Sequence, residues 1–293
     1  MELARYATPG ALLEAAGDYL AAREAEHNLL LGILGTLRDR PEVYPDVPYL
    51  ATVTATAVAL VAVRTPPFRL VLSEPGVRDD LIPDVLAPLV DDLVAGAPDL
   101  PGVLGPTAAA DMFAARWCAA TGCRARLVLA ERIYRVARVR PAQVVPGNWR
   151  RATAPDRRLL RTWAIDFQAE ALPQDAPAPD LDAMVERWIR GAGQAAYLWE
   201  VDDRPVSLAV AGSPTPHGIR IGPVYTPPAA RGQGYASALT AAVSQHQLDQ
   251  GRRYCFLFTD LANPTSNRIY QAIGYEPVTD VNQYRFEWTG DGL

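Results

Sequence analysis

No lysine occurs anywhere in the chain: all 28 basic side chains are arginine. In a sequence rich in alanine, arginine and proline, that bias reads as codon preference rather than chemistry. Acidic residues number 33, so the formal net charge is −5, and there is no clustered positive excess to neutralise a phosphate backbone. Nucleic acid is therefore not an expected partner. Cysteine and histidine are scarce, at three each. Cys118, Cys123 and Cys255 lack metal-ligand spacing and suit a reducing compartment, and His27, His217 and His246 are scattered, so neither a metal nor a Ser/His pair is expected. Long apolar runs are also missing. The stretch TATAVALVAV is too short to cross a bilayer, and the first residues lack a basic segment followed by an unbroken apolar one. The expectation is a cytoplasmic protein with no membrane partner; monomer and homodimer both stay open.

What is present suits a soluble protein with room for two cores: 293 residues, 49% of them apolar. The chain also repeats itself. In RWCAATGC, Arg116, Ala120 and Gly122 match Arg268, Ala272 and Gly274 of RIYQAIGY at a constant offset of 152, and Tyr134-Arg135 matches Tyr284-Arg285 at 150. Upstream, VALVAV (58–63) resembles VSLAVA (206–211), and RLVL (69–72) resembles RIGP (220–223). Each half reads as an amphipathic helix, apolar hairpin strands, a helix, a strand, a helix and a last strand. Two domains of one fold are expected, 1–140 and 156–293, with a linker at 141–155 where Pro141, Pro146, Gly147 and Pro155 break any pattern. A second irregular stretch, ALPQDAPAPDLD (171–182), reads equally as a mobile loop over a substrate site or a plain connector.

The most informative stretch is IGPVYTPPAARGQGYASAL (221–239). A strand carries Val224 and Thr226 on one side by its period of two, and Pro227 and Pro228 then stop further pairing, having no N–H to donate. After Arg231, the turn Gly232-Gln233-Gly234 opens a helix whose first N–H groups have no internal partner and whose dipole is positive there. Glycines let an anion rest on that backbone without meeting a Cβ. The arrangement is a pyrophosphate cradle, although Gly-x-Gly alone is common and Ser237 stands where a dinucleotide fingerprint needs a third glycine. Downstream, YCFLFTD (254–260) is a buried strand. Asn263 is an N-cap candidate, Pro264 suits the first helical position, and Gly274 suits the stop.

Arg231-Gly232-Gln233-Gly234-Tyr235-Ala236 resembles the acetyl-CoA signature of GNAT-type N-acetyltransferases, and Asn263-x-x-Ser266-Asn267-x-x-Tyr270 resembles that family's second cofactor helix. The resemblance covers about residues 150–290, and the first half only through the repeat. It implies an α/β fold of two tandem GNAT-like domains, each a central mixed sheet flanked by helices. It implies acetyl-CoA as acyl donor. The pantetheine arm would bond to the backbone of Val224, Tyr225 and Thr226. The diphosphate would rest on Gly232, Gln233, Gly234, Tyr235, Ala236 and Ser237, with Arg231 adding charge, and Asn263 and Asn267 would meet the pantetheine. Tyr270 would be the general acid, while its residue-level alternative is a tyrosine packed on the sheet. For the base, Glu170 borders the expected acceptor region, Asp166 shares its helix face, and Glu200 lies on a strand; a water chain would serve equally.

In the first half, Cys118 stands where Tyr270 would be, and SEPGVRDDLIP (73–83) replaces the glycine turn with Asp79 and Asp80, so a cofactor-free domain is expected there. The leading expectation is an acetyl-CoA-dependent transfer to a primary amine of a small molecule. A non-catalytic acyl-CoA sensor or scaffold is the alternative, and a nucleotide-binding reductase a third.

Overall fold

The computed structural model describes residues 1–97, 99–171, 173, 177, 180–191 and 193–288. Half of the irregular stretch at 171–182 lies outside the described residues. The first half runs β1 (Glu2–Arg5), α1 (Pro9–Ala22), α2 (Asn28–Asp39), β2 (Tyr49–Thr54), β3 (Val58–Arg64), β4 (Leu70–Leu72), α3 (Ile82–Gly96), β5 (Gly102–Pro106), α4 (Thr107–Thr121) and β6 (Arg124–Val136). The second runs β7 (Asn148–Arg151), α5 (Arg157–Ala171), α6 (Leu181–Arg190), β8 (Gln194–Val201), β9 (Arg204–Gly212), β10 (Gly218–Tyr225), α7 (Tyr235–Asp249), β11 (Tyr254–Asp260), α8 (Pro264–Ala272) and β12 (Glu276–Glu287). Element for element the order is the same, which is what the repeated sequence requires. Each half adds to the expected series a short opening strand and a second helix. One of those strands, β7, lies inside the stretch expected as a linker.

The chain forms two compact units, Met1–Arg132 together with the chain from Thr279 onward, and Ile133–Val278. They do not coincide with the linear division at 141–155, because β12 joins the first unit from Thr279 onward and the end of β6, from Ile133, joins the second. In the first unit the strand order is β1-β2-β3-β4-β5-β12-β6. There β12 pairs antiparallel with β5, from Val281↔Pro106 to Arg285↔Gly102. Phe286 of β12 stacks on Trp117 at 5.8 Å and on Phe113 at 6.5 Å, both rings fully buried. By the usual cost of truncating a buried phenylalanine, that ring is worth about 3–5 kcal/mol to the unit. Around it Leu86, Leu89, Val90 and Leu93 of α3 and Ala109 of α4 close the core.

The second unit has the order β6-β11-β10-β9-β8-β7, with the end of β6 flanking β11. Tyr134 of β6 is fully buried among Leu239 and Val243 of α7 and Cys255 and Leu257 of β11. A second cluster joins Leu160 and Trp163 of α5 and Trp188 of α6 to Leu198, Leu208 and Val210 of the sheet.

Glu200, a residue weighed for proton transfer, is occupied elsewhere in this unit. Arg150 of β7 binds it at 2.7 Å and also grips both oxygens of Asp156 at 2.7 and 2.8 Å. Asp156 takes a further bond from Thr153 N at 2.7 Å, closing the turn that leads into α5. The Arg150 guanidinium holds the Asp156 carboxyl below its ordinary range. Stability from a lowered carboxyl is present above the ordinary value and lost as pH falls through the lowered one, so this ion pair should weaken below about pH 4. Asp156→Asn is expected to cost about 1–3 kcal/mol near neutral pH, because the nearly buried Asp156 side chain no longer offers Arg150 a charged acceptor. The midpoint of urea unfolding measures it, and an unchanged midpoint would show the cluster to be inert.

Candidate active site

β10 and β11 are parallel neighbours, but their pairing is confined to Gly218↔Tyr254, Ile219↔Cys255 and Arg220↔Phe256. Both strands run on, β10 to Tyr225 and β11 to Asp260, without a further pair among the described residues. A register shift against β9 between Ile221 and Val224 turns β10 at Gly222-Pro223, and Pro223 has no N–H to give a ladder. The result is a cleft at the carboxyl ends of two parallel strands, each followed directly by a helix whose N-terminus opens at that same edge. In an open α/β sheet this is where ligands bind.

The turn into α7 has the geometry that its glycines predict. Gly232 has φ +77° and Gly234 +83°, the left-handed region where a Cβ is costly. Gly234 is the N-cap of α7 and supplies no side-chain acceptor, so the first N–H groups at Tyr235 and Ala236 are left for a ligand. A Cβ at Gly232 would meet nothing within 4 Å, so the turn faces open space. At Gly234 it would stand 3.1 Å from Val145 Cγ1. Val145 was not anticipated: it lies in the proline-broken stretch after β6, where nothing local in the sequence points to the turn. Gln233 and Ser237 complete the loop and the first helical turn.

Arg231 is anchored on the protein. Its Nε donates to the Thr226 carbonyl at 2.9 Å, its Nη2 donates to Glu170 Oε2 at 2.5 Å, and its guanidinium lies 5.9 Å from the Tyr225 ring centre. Thr226 is further held by its hydroxyl, 2.9 Å from Ser207 Oγ, and Ser207 also donates to the Tyr225 carbonyl at 3.3 Å. Tyr225 packs on Trp163, and its hydroxyl reaches Asp166 at 3.4 Å. Asp166 and Glu170, one turn apart on α5, thus both face the end of β10. Ser207 is fully buried and was not expected at the site; a lone serine in an apolar strand carries no signal of it.

On the other wall, Asn263 caps α8, its Oδ1 accepting from Ser266 N at 3.0 Å. Asn267 is fully engaged: its Nδ2 donates to the carbonyls of Asp260 and Asn263, and its Oδ1 accepts from the Tyr134 hydroxyl at 2.9 Å. Gln271 donates to the same hydroxyl at 2.8 Å. No residue of α8 is fully buried, so these bonds to β6 do much to hold it. One turn from them, Tyr270 lies edge-on to Tyr275 at 6.0 Å, and burial pushes its phenol up to about 12. Its hydroxyl makes no hydrogen bond among the described residues. The sequence marks Tyr134 as a repeat partner of Tyr284 without showing that it steadies the helix of Tyr270.

In the first unit the corresponding stretch differs. A Cβ at Gly76 would stand 2.9 Å from Tyr19 Cε2 and 3.2 Å from the Val58 carbonyl, so that position is filled by the protein itself. Arg78 pairs with Asp80 there.

Residues 159–275 match the family described as acetyltransferase (GNAT) family. The second unit carries a GNAT-family acetyltransferase domain. Solved structures agree on the fold over nearly the whole length. A GCN5-related N-acetyltransferase from Sphaerobacter thermophilus is 18% identical, with 99% of this chain and 98% of that one covered and a TM-score of 0.60. One from Kribbella flavida is 20% identical over 92% and 96%, with a TM-score of 0.57. A tandem GNAT protein from the clavulanic acid biosynthesis pathway is 16% identical over 100% and 99%, also at 0.57. No curated protein sequence matches. The tandem GNAT-like fold expected from the two motifs together with the repeat is the one the chain adopts. Among the described residues no helix is long and apolar enough to cross a membrane, and no group of three or more His, Cys, Asp and Glu is placed to hold a metal.

Proposed function

We propose that the second unit binds acetyl-CoA in the cleft between β10 and β11 and transfers its acetyl group to a primary amine of a small molecule. The observation that carries this reading is the open, uncapped turn at Gly232–Ala236 beside a strand edge without a ladder partner. Two features of the site fit a CoA thioester: backbone N–H groups aimed out of a helix N-terminus for a diphosphate, and an unpaired strand edge for an amide-bearing arm. Acetyl-CoA supplies an acyl group already activated as a thioester.

The residues divide the remaining work. N–H groups at Gln233, Gly234, Tyr235 and Ala236 bind the diphosphate, and the Val224–Thr226 backbone aligns the arm and donates to the carbonyl oxygen where charge develops. Tyr270 holds a proton at Oη for the departing sulfur. Glu170 accepts a proton from the incoming amine; what supports it is its bond to Arg231, which sets the carboxylate one guanidinium away from Thr226. Asn263 and Asn267 shape the wall through the N-terminus of α8. The first unit holds no acyl-CoA in this reading, supported by Tyr19 against Gly76.

A mixed panel of amines, amino acids and amine-bearing antibiotics incubated with acetyl-CoA should release free thiol well above background hydrolysis, with the acetylated amine found by mass spectrometry. Tight acetyl-CoA binding with no turnover on any amine would favour a sensor. Glu170→Gln is expected to lower kcat about 100-fold on the amine so found while changing the KM for acetyl-CoA less than about fivefold. Unchanged kcat would reduce Glu170 to half of a surface ion pair.

A further inference from the structure

At the far end of α7 from the glycine turn lies a cavity of about 720 Å³ that the proposed transfer does not use. It is framed by the start of β8, the end of β9, the start of β10 and the turn that follows α7. Its charge is one-sided: Arg151, Arg252 and Arg253 line it, with His217 and His246, and no carboxylate is among its lining residues. In a chain of net charge −5 composed without lysine, three guanidiniums around one hollow are a local reversal of sign.

We infer that this cavity binds a small anion carrying two or more phosphate or carboxylate groups, at a site separate from the CoA cleft.

The arginines are placed to receive such a group. Arg252 makes no side-chain hydrogen bond or ion pair among the described residues. Arg253 meets only the Tyr254 hydroxyl, at 3.4 Å, and lies over that ring. Arg151 donates to the Ile189 carbonyl at 3.2 Å, leaving most of its five donors unused. Its Nη2 occupies the place where a Cβ at Gly191 would stand, so glycine at 191 is what lets the guanidinium cross to the cavity. A planar fork of N–H groups matches phosphate and carboxylate two bonds at a time.

The helix end itself would repel an anion through its dipole, and here that repulsion is blunted. Gln250 N, Gly251 N and Arg252 N return to the carbonyls of His246, Leu248 and Gln247, so the last turn presents few free acceptors. Asp249, the nearest carboxylate on the helix, is bonded to Gln245. The floor is polar but satisfied: Gln247 donates to the Tyr197 hydroxyl at 3.2 Å, and His246 lies against the Tyr197 and Trp149 rings. A cavity with a satisfied floor and unspent cations on its rim has its binding capacity on the rim. With 15 residues, α7 spans about 22 Å, so the occupant is not the acyl acceptor.

Inorganic pyrophosphate and citrate, titrated into the full chain at low salt by calorimetry, test this. Pyrophosphate also suits the glycine turn, so the decisive proteins are Gly234→Glu, which blocks the turn, and Arg252→Ser with Arg253→Ser. Binding of either probe should survive in the first and weaken at least tenfold in the second. Preference between the probes tells a phosphate site from a carboxylate one. On the unaltered protein, either bound probe should also shield Arg151, Arg252 and Arg253 from phenylglyoxal in peptide maps, a readout that does not depend on how the variants fold. Pyrophosphate uptake lost with Gly234→Glu and kept in the arginine variant, or no shielding at millimolar probe, would overturn the site without touching the acetyl-CoA reading, which the thiol assay decides.

Discussion

Replacing Gly234 with glutamate is expected to abolish acetyl-CoA binding, with at least about a 100-fold loss of affinity by calorimetry, since opposing like charges costs several kcal/mol. Two effects act together. The new carboxylate starts from the N-cap of α7 and lies where the helix dipole and the free N–H groups favour negative charge, so it occupies the anion position itself. The side chain must also leave the backbone at φ +83°, with its Cβ 3.1 Å from Val145. Strain of that kind costs about 1–3 kcal/mol and should appear as a lower melting temperature. Gly232→Ala separates the two. It carries similar strain at φ +77° but no charge, and its Cβ meets nothing within 4 Å. It should lose comparable stability and far less affinity. Equal loss of affinity in both variants would mean that loop shape, rather than the anion site, governs binding.

The parts of the site legible in the sequence are those set within a few residues. Gly232 and Gly234 announce positive φ, and Asn263 with Pro264 announces a capped helix start, because steric and capping rules act over one turn of chain. The repeat is legible too, and it reaches the fold: ten elements recur in one order. What it cannot show is which unit a strand joins. Tyr134 and Tyr284 match at an offset of 150, yet each completes the unit of the opposite half, since strand pairing is decided by partners more than a hundred residues away. A separation of 61 residues likewise hides the bond from Arg231 to Glu170. The strand β7 escapes notice because four residues at a sheet edge, Asn-Trp-Arg-Arg, carry too little alternation to stand out from the prolines around them. The basic cavity is assembled from four stretches, at 151, 191–197, 211–219 and 246–253, that are each unremarkable as sequence.

Tyr270→Phe is expected to lower kcat by about 100- to 10,000-fold while leaving acetyl-CoA affinity within about fivefold. The substitution removes only Oη, which makes no hydrogen bond among the described residues, and leaves the ring against Tyr275, so the packing of α8 should persist. The protonation state suits a donor. Burial pushes the phenol up to about 12, so the group keeps its proton through neutral and mildly alkaline pH, and activity should show no loss attributable to it until the solution approaches that value. The linkage has a definite sign. Because the folded-state value is raised, the contribution of the buried phenol to stability is complete below the ordinary tyrosine value near 10 and declines as pH rises toward 12. The phenylalanine variant should lose less stability over that interval than the unaltered protein, as read by chemical denaturation at stepped pH. Loss of turnover without that alkaline difference would point to a displaced helix; the two together would tie the defect to the proton on Oη. Full turnover in the variant would remove Tyr270 from the mechanism and leave the departing sulfur to be protonated by water.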